Sequence, residues 1–292
     1  MAIPLIERYR DRLPVTAATP VVSLGEGSTP LLRAPRLSAR LGVDVWLKLE
    51  SMNPTASFKD RGMTMAVSKA VEEGAQAVIC ASTGNTAASA ATYAARAGVP
   101  AVILQPAGAV ALGKLVQARA VGARVLEVLG TFDQALEAAR ELADRGTHAL
   151  VNSLNPYRLQ GQKTGAFELA EELGGVPDYL CLPYGGGGNT RAFGIGWDEW
   201  GQGLPRVLAG EATERPTTLA SAIRIADPVH RPYAEDVVNR SGGEVVSSRT
   251  TRSSRRGATW PSTRASSASR RAPPASPRSR RSAPRRARRA SA

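Results

Sequence analysis

The sequence predicts an α/β protein whose parallel, twisted sheets are covered by helices, and three patterns lead to that prediction. Short apolar runs alternate with longer amphipathic or alanine-rich segments. Polar or glycine-rich turns follow several of the apolar runs. Continuous apolar runs are typical of strands buried on both faces, and their alternation with helices favours parallel sheets.

The predicted strands and helices alternate through most of the chain. The predicted strands are 43–49, 77–81, 99–104, 124–128, 148–151 and 179–182. The predicted helices are 57–73, 84–96, 114–121, 132–144 and 156–173, with Gly74 and Gly98 ending the first two. Residues 243–246 have the pattern of a strand that is just beginning.

The charge is concentrated at one end of the chain. The 292 residues include 38 basic and 25 acidic ones, which gives a net charge of +13. Residues 247–292 hold 14 arginines and no acidic residue, so residues 1–246 are nearly neutral. This distribution excludes a general basic field that would steer the folded part to nucleic acid.

Residues 247–292 have a composition that cannot build a core. They contain no Leu, Ile, Val, Phe or Met, so nothing there offsets the entropy cost of folding. One interpretation is a disordered basic tail that binds anions. The other is a GC-rich gene read out of frame, because Arg, Ala, Pro and Gly have GC-rich codons. The abrupt change after Val246 favours the second interpretation.

Several functional classes are not expected. Cys80 and Cys181 allow at most one disulfide and lie in apolar runs, which predicts reduced core thiols. Residues 1–12 lack the apolar core of a secretory signal, and no stretch reaches the ~20 apolar residues of a spanning helix. A cytoplasmic protein is the expectation. His148 and His230 are isolated, so we predict structural roles for them and no metal site.

Lys59 is the first candidate catalytic residue. It follows a proline-containing loop at the predicted start of a helix. The positive end of the helix dipole disfavours the ammonium form, which lowers the pKa and leaves an amine suited to Schiff-base chemistry. The alternative is an ordinary solvated surface lysine.

Three turns between strands and helices are candidate anion sites. In the Ser82 turn (Ser82–Thr86), amide groups at a helix N-terminus suit a carboxylate or phosphate; the alternative is plain capping by Ser82 or Thr83. In the glycine loop (Gly185–Asn189), the backbone can fold around a phosphate; the alternative is a flexible loop.

The third turn, the Ser153 turn (Asn152–Asn155), precedes a helix that carries Arg158 and Lys163 in its first turns. The planar guanidinium of Arg158 suits a phosphate; the alternative is a surface cap with solvated cations. Because the carboxyl ends of parallel strands meet at one sheet edge, we expect the three turns and Lys59 to lie together. A reactive lysine, a phosphate site and a second anion site describe pyridoxal phosphate acting on an anionic amino acid.

Three motifs together resemble the threonine synthase family, within the fold-type II pyridoxal-phosphate enzymes. They are Ser-Phe-Lys-Asp-Arg-Gly at 57–62, Ser-Thr-Gly-Asn-Thr at 82–86 and Val-Asn-Ser-Leu-Asn-Pro-Tyr-Arg at 151–158. The first two are shared with threonine and serine dehydratases, and the third points to the synthases. The resemblance runs from about Pro20 to Val246. It implies a larger cofactor-binding lobe, 1–50 with 150–246, and a smaller lobe, 51–149.

The resemblance also implies site roles. Lys59 would carry pyridoxal 5′-phosphate as its internal aldimine, and Asn85 would bind the 3′-oxygen. The residues expected to bind the cofactor phosphate are Gly185, Gly186, Gly187, Gly188 and Asn189. Those expected to bind the substrate carboxylate are Ser82, Thr83 and Thr86. Those expected to bind the phosphate of O-phosphohomoserine are Asn152, Ser153, Arg158 and Asn189. The implied reaction, a carbon–oxygen lyase reaction in threonine biosynthesis, is γ-elimination of phosphate followed by addition of water at Cβ, and a homodimer is common in the family.

Two departures from the family bear on activity. Gly186 stands where an asparagine is usual, which removes one hydrogen bond. The arginine-rich segment stands where the family has a Ser or Thr against the pyridine nitrogen, so we expect slow or absent turnover. Two alternatives stay open: a dehydratase or cysteine-synthase-like lyase, and an inactive binding protein whose arginine-rich tail holds nucleic acid.

Overall fold

Two parallel sheets organise the chain in a computed structural model that describes residues 3–108, 112–213, 223 and 229–248. The strands of this described part are β1 Leu31–Arg33, β2 Trp46–Lys48, β3 Ala77–Ala81, β4 Ala101–Pro106, β5 Arg124–Val128, β6 His148–Leu150, β7 Tyr179–Pro183, β8 Arg206–Ala212 and β9 Glu244–Ser248. A four-stranded parallel sheet has the order β5-β4-β3-β6, and a three-stranded parallel sheet has the order β7-β8-β9. Strands β1 and β2 form an antiparallel pair.

Helices connect and cover the parallel strands. They are α1 Leu5–Arg8, α2 Pro35–Leu41, α3 Lys59–Glu72, α4 Asn85–Ala97, α5 Leu112–Ala120, α6 Phe132–Asp144, α7 Pro156–Leu173, α8 Gly188–Trp200 and α9 Arg231–Arg240. Short 3₁₀ turns cover Arg10–Arg12 and Glu50–Met52. None of these helices combines the length and apolarity needed to cross a bilayer. The predicted α/β class with parallel sheets is confirmed.

The predicted elements agree with the structure best between β3 and α7. The predicted bounds of β3, β5, α6 and α7 are those observed. Helix α3 begins at Lys59 rather than Ser57, because Ser57 stays outside the helix and accepts the Lys59 amide. The strand expected near 243–246 is β9, which pairs with β8 through Ser248, so the predicted tail begins inside a strand. The predictions for residues 249–292 lie outside the described residues.

The two cysteines differ in environment. Cys80 is buried in β3, whose five residues are all buried. Cys181 is exposed, so the prediction of a core thiol was wrong for it. Alternate residues of β7 are exposed, and Cys181 falls on that exposed face.

Helices α3 and α7 cross at two glycines. A Cβ on Gly161 would lie 1.9 Å from the carbonyl oxygen of Arg61, and a Cβ on Gly62 would lie 2.8 Å from that of Arg158. Because no side chain separates the backbones there, the start of α3 with Lys59 lies against the start of α7.

A buried ion network fixes the same end of α3. The guanidinium of Arg61 donates at 2.7–2.8 Å to both oxygens of Glu50 and at 2.7 Å to both oxygens of Glu168. Lys48 lies 3.0 Å from Glu168. Desolvation raises the pKa of Glu168, but the hydrogen bonds and charge of Arg61, together with Lys48, bring it down to about 2. Arg61 is therefore fully paired although it is buried.

Candidate active site

Lys59 is the first residue of α3 and is partly buried. Its Nζ lies 4.0 Å from the ring centroid of Phe58. Desolvation, followed by the positive charge of Arg158, lowers the pKa of Lys59 to about 7. The predicted lowering is present, but its causes are burial and Arg158 rather than the helix dipole alone. A large fraction of Lys59 is therefore uncharged at neutral pH.

Arg158 is a buried cation that lacks an acidic partner within the described part of the chain. It is 1% exposed, and its Nη1 donates to the carbonyl oxygen of Val151 at 3.2 Å. Its Nε is buried and has no partner among the residues that the structure describes. Desolvation lowers the pKa of Arg158 to about 10 and raises that of the neighbouring Cys80 thiol to about 12. The guanidinium stays charged at neutral pH and can accept an anion.

The Ser82 turn presents free amides at the start of α4. The Ser82 hydroxyl accepts the amides of Gly84 at 3.2 Å and Ala87 at 3.3 Å, although the N-cap position of α4 is Gly84, which has no side-chain cap. The amides of Asn85 and Thr86 fall between these two and have no acceptor within the helix. Two adjacent amides at the positive end of a helix suit a carboxylate.

The Ser82 turn and the Ser153 turn are joined directly. The side-chain amide of Asn152 accepts the Ala81 amide at 2.9 Å and donates to the Ala81 carbonyl at 2.8 Å. Ala81 is the last residue of β3, immediately before Ser82. The Asn152 side chain therefore holds the two candidate anion-binding turns side by side. Ser153, the next residue, is exposed.

The glycine loop packs closely rather than lying free. Gly187 has φ +79°, and a Cβ there would lie 3.1 Å from both Ala234 Cβ and the carbonyl oxygen of His230. The side-chain oxygens of Asn189 and Thr190 are buried without a partner in the described residues. Bare backbone, the unpaired hydroxyl of Thr190 and a helix N-terminus fit a phosphate group.

His230 is the site residue that the sequence reasoning missed. Its Nε2 lies 2.7 Å from the Ser153 carbonyl and its Nδ1 lies 3.2 Å from Nη1 of Arg191, on α8. The isolated, structural role predicted for it was incomplete, because it touches two candidate anion sites. No local pattern marks it, since its partners are 77 and 39 residues away in sequence.

Lys163 does not join the site. Its ammonium donates to Gln160 at 2.5 Å and to Glu199 at 2.7 Å, so its charge is already neutralised. Two cations lie near the start of α7, Arg158 and Lys163. Within the described residues, Arg158 is therefore the one that is free to bind an anion.

Comparisons with known proteins agree on one family. Residues 22–272 match the family described as pyridoxal-phosphate dependent enzyme. The threonine synthase of Synechocystis sp. is 51% identical over 258 residues, which cover 82% of this chain and 68% of that protein. The threonine synthase of Halalkalibacterium halodurans is 47% identical over 256 residues, covering 82% and 72%.

A solved structure shows the same fold at lower sequence identity. Maize serine racemase superposes with a TM-score of 0.70 at 22% identity, covering 84% of this chain and 77% of that one. At this identity the likeness supports the fold alone. The match to residues 22–272 extends past Val246, where the motif-based resemblance ends.

Proposed function

The chain belongs to the pyridoxal-phosphate-dependent enzymes, and on that premise we propose that it is a threonine synthase, which converts O-phosphohomoserine and water to threonine and phosphate. Arg158 is the main support for the proposal. It is a buried cation without an acidic partner among the described residues, and its positive charge lowers the pKa of Lys59. A substrate side chain that ends in a phosphate supplies the missing anion. The hydroxyl of serine or threonine, the dehydratase substrates, leaves that charge uncompensated. The two curated threonine synthases support the same choice.

The residues present fit the cofactor of this family, pyridoxal 5′-phosphate. In the proposal, Lys59 holds the cofactor covalently and Asn85 binds its 3′-oxygen. The glycine loop, with Gly185, Gly186, Gly187, Gly188 and Asn189, binds its phosphate. The unpaired hydroxyl of Thr190, the side-chain-free backbone of the loop and the N-terminus of α8 support that placement.

Lys59 acts as the proton carrier of the proposed reaction. The bound cofactor supplies an electron sink for negative charge that develops on substrate carbon. Once released from its covalent role, Lys59 has a pKa of about 7 and can remove and return protons at Cα and Cβ near neutral pH. Ser82, Thr83 and Thr86, with the free amides of α4, orient the substrate carboxylate.

Arg158 acts on the leaving group. Together with Ser153 and Asn189 it binds the substrate phosphate. The side chain of Asn152, predicted as a phosphate ligand, is engaged with Ala81 and contributes by holding the Ser153 turn in place. The guanidinium balances the charge that the phosphate oxygen gains as the carbon–oxygen bond breaks. Burial strengthens this interaction because little water competes for it.

Two further parts of the proposal concern organisation. We assign residues 51–149, which include the four-stranded sheet, to the smaller lobe, and residues 1–50 with 150–246 to the larger lobe. We assign the assembly as a homodimer. Analytical ultracentrifugation of the full chain tests the assembly, and a monomer at micromolar concentration contradicts it.

The proposed function is tested on the full chain loaded with pyridoxal phosphate. Phosphate and threonine are measured with O-phosphohomoserine as substrate, and 2-oxo acid is measured with serine and threonine. Equal amounts of phosphate and threonine support the proposal. Formation of 2-oxo acid from serine or threonine without phosphate release from O-phosphohomoserine contradicts it and supports a dehydratase.

A variant pair isolates the contribution of Arg158. We expect Arg158→Gln to raise KM for O-phosphohomoserine by roughly 10- to 100-fold, because a hydrogen-bonded charge pair contributes about 1.5–3 kcal/mol. The control is Arg119→Gln, which removes an exposed arginine of α5. An unchanged KM in Arg158→Gln contradicts the assignment.

A further inference from the structure

His230 lies between two elements that the proposed function assigns to two different phosphates. Its side chain is buried, at 3% exposure. Its backbone amide donates to the carbonyl oxygen of Gly186 at 3.2 Å, and a Cβ on Gly188 would lie 3.1 Å from its Cδ2. Its ring also reaches the Ser153 carbonyl. One residue therefore contacts both the glycine loop and the Ser153 turn.

The contacts of the ring define one neutral tautomer. A guanidinium can only donate, so Nδ1 of His230 accepts from Arg191. A carbonyl oxygen can only accept, so Nε2 carries the proton and donates to Ser153. Desolvation and the positive charges of Arg191, Arg158 and Lys59 lower the pKa of His230, although the hydrogen bond to Ser153 opposes them. At neutral pH the ring is therefore neutral, with Nε2 as the donor and Nδ1 as the acceptor.

Arg191 is itself held from a second side. Its guanidinium carbon lies 3.7 Å from the ring centroid of Tyr233, on α9, three residues beyond His230. Arg191 lies in the first turn of α8, directly after the glycine loop. The glycine loop and the residue that follows it therefore contact His230 through Gly186, Gly188 and Arg191. The imidazole contacts the Ser153 turn through a single hydrogen bond.

We propose that His230 is a positioning residue that couples the glycine loop to the Ser153 turn, so that cofactor binding orders the turn that receives the substrate phosphate. The assignment of the two phosphates rests on the proposed function. The mechanical coupling rests on the contacts of His230 alone. Filling the glycine loop fixes the imidazole, and the fixed imidazole holds the Ser153 carbonyl in place.

Three substitutions separate the contacts of the ring. His230→Gln loses the acceptor for Arg191, but it keeps an N–H near the position of Nε2 that can donate to Ser153, and its backbone amide keeps the bond to Gly186. His230→Asn keeps an acceptor near the position of Nδ1 for Arg191 but does not reach Ser153. His230→Phe keeps the ring volume and loses both contacts. His148→Gln is the matched control, because His148 lies in β6 and its ring bonds to Thr147.

The direct readout is hydrogen–deuterium exchange of the peptide 151–157 in the full chain, with and without saturating pyridoxal phosphate. We expect the cofactor to slow exchange about tenfold in the wild type, His230→Gln and His148→Gln, and to have little effect in His230→Asn and His230→Phe. Equal protection in all five proteins overturns the proposal. If His230→Phe does not fold, His230→Asn alone decides the question.

Kinetics separates coupling from simple packing. We expect His230→Asn to raise KM for O-phosphohomoserine about tenfold with kcat changed less than twofold, and His230→Gln to restore the wild-type KM. A KM that is unchanged in His230→Asn overturns the proposal. If the wild type does not act on O-phosphohomoserine, the proposed function fails, whereas the exchange experiment still decides on the coupling.

Discussion

Arg61 and Arg158 lie on crossing helices and are almost equally buried, yet their surroundings are opposite. Arg61 is held by both oxygens of Glu50 and of Glu168. Arg158 has one backbone carbonyl and an unpaired Nε in the part of the chain that is described. Burial alone therefore does not mark a functional arginine. A buried arginine that has no carboxylate in reach indicates a functional role, because a buried charge without a counterion costs stability.

The same difference explains the environment of Lys59. Lys59 is two residues from Arg61, but the arginine that lowers its pKa is Arg158. The charge of Arg61 is neutralised by Glu50 and Glu168, whereas that of Arg158 is not. The unpaired arginine thus has two effects: it provides a binding group for an anion and, after desolvation, it lowers the pKa of the neighbouring Lys59 amine.

The largest expected effect is on stability and follows from substitution of the paired arginine, Arg61. Arg61→Leu leaves Glu50 and Glu168 without their counterion, and we expect it to lower the free energy of unfolding by about 3–5 kcal/mol. Urea denaturation followed by circular dichroism measures the change. A loss below about 1 kcal/mol would show that Lys48 can replace Arg61 as the partner of Glu168.

The next largest expected effect is the pH dependence of cofactor attachment at the amine of Lys59. Below pH 7 the uncharged fraction falls about tenfold per pH unit, so attachment of pyridoxal phosphate at Lys59 slows as the pH falls. Arg158→Gln removes a positive neighbour, raises the pKa of Lys59 and moves the profile to higher pH. Borohydride trapping with peptide mass mapping follows the attachment. An unshifted profile in the variant contradicts the assigned cause.

Substitution of the unpaired Arg158 is expected to change the stability less than substitution of Arg61, and in the opposite direction. In phosphate-free buffer we expect the free energy of unfolding of Arg158→Leu to equal that of the wild type or to exceed it by up to about 2 kcal/mol. The reason is that the variant no longer buries an uncompensated charge. Adding inorganic phosphate raises the melting temperature of the wild type more than that of the variant. Destabilisation comparable to Arg61→Leu would remove the contrast between the two arginines.

The smallest effect concerns the loop that leads into α3. Ala56 has φ +61°, a conformation that costs an L-residue about 1–2 kcal/mol. Ala56→Gly removes that cost and adds about 0.5–1 kcal/mol of unfolded-state entropy, so we expect a net gain of about 0.5 kcal/mol. The control Ala39→Gly, in the exposed part of α2, should lose about 1 kcal/mol. Equal losses in both variants would contradict strain at Ala56.

The elements that the sequence predicted well are those with a strong apolar pattern. Strand β3 is apolar throughout, and the ends of α4 and α7 carry left-handed glycines, Gly98 and Gly174. Strand β8 was missed because its Ala-Gly-Glu-Ala end has little strand propensity. Helix α9 was missed because only Ala234, Val237 and Val238 are buried on it.

The sequence by itself determined where the chemistry is concentrated. Polar residues and glycines after predicted strands identified Lys59, the Ser82 turn, the glycine loop and the Ser153 turn. The expectation of one shared sheet edge holds for the Ser82 and Ser153 turns, which follow β3 and β6 of the same sheet, whereas Lys59 and the glycine loop follow strands of two other sheets. These signals are local, so they can be found in a linear pattern.

Only the tertiary structure decided which charged groups are free. Arg61 meets Glu168 across 107 residues, and His230 meets Ser153 across 77. The sequence cannot show that one arginine finds a carboxylate while the other does not, or that a histidine joins two turns. Pairing depends on distances between side chains that only the packing of α3, α7, α8 and α9 fixes, and the electrostatic energy of a buried charge depends on those distances.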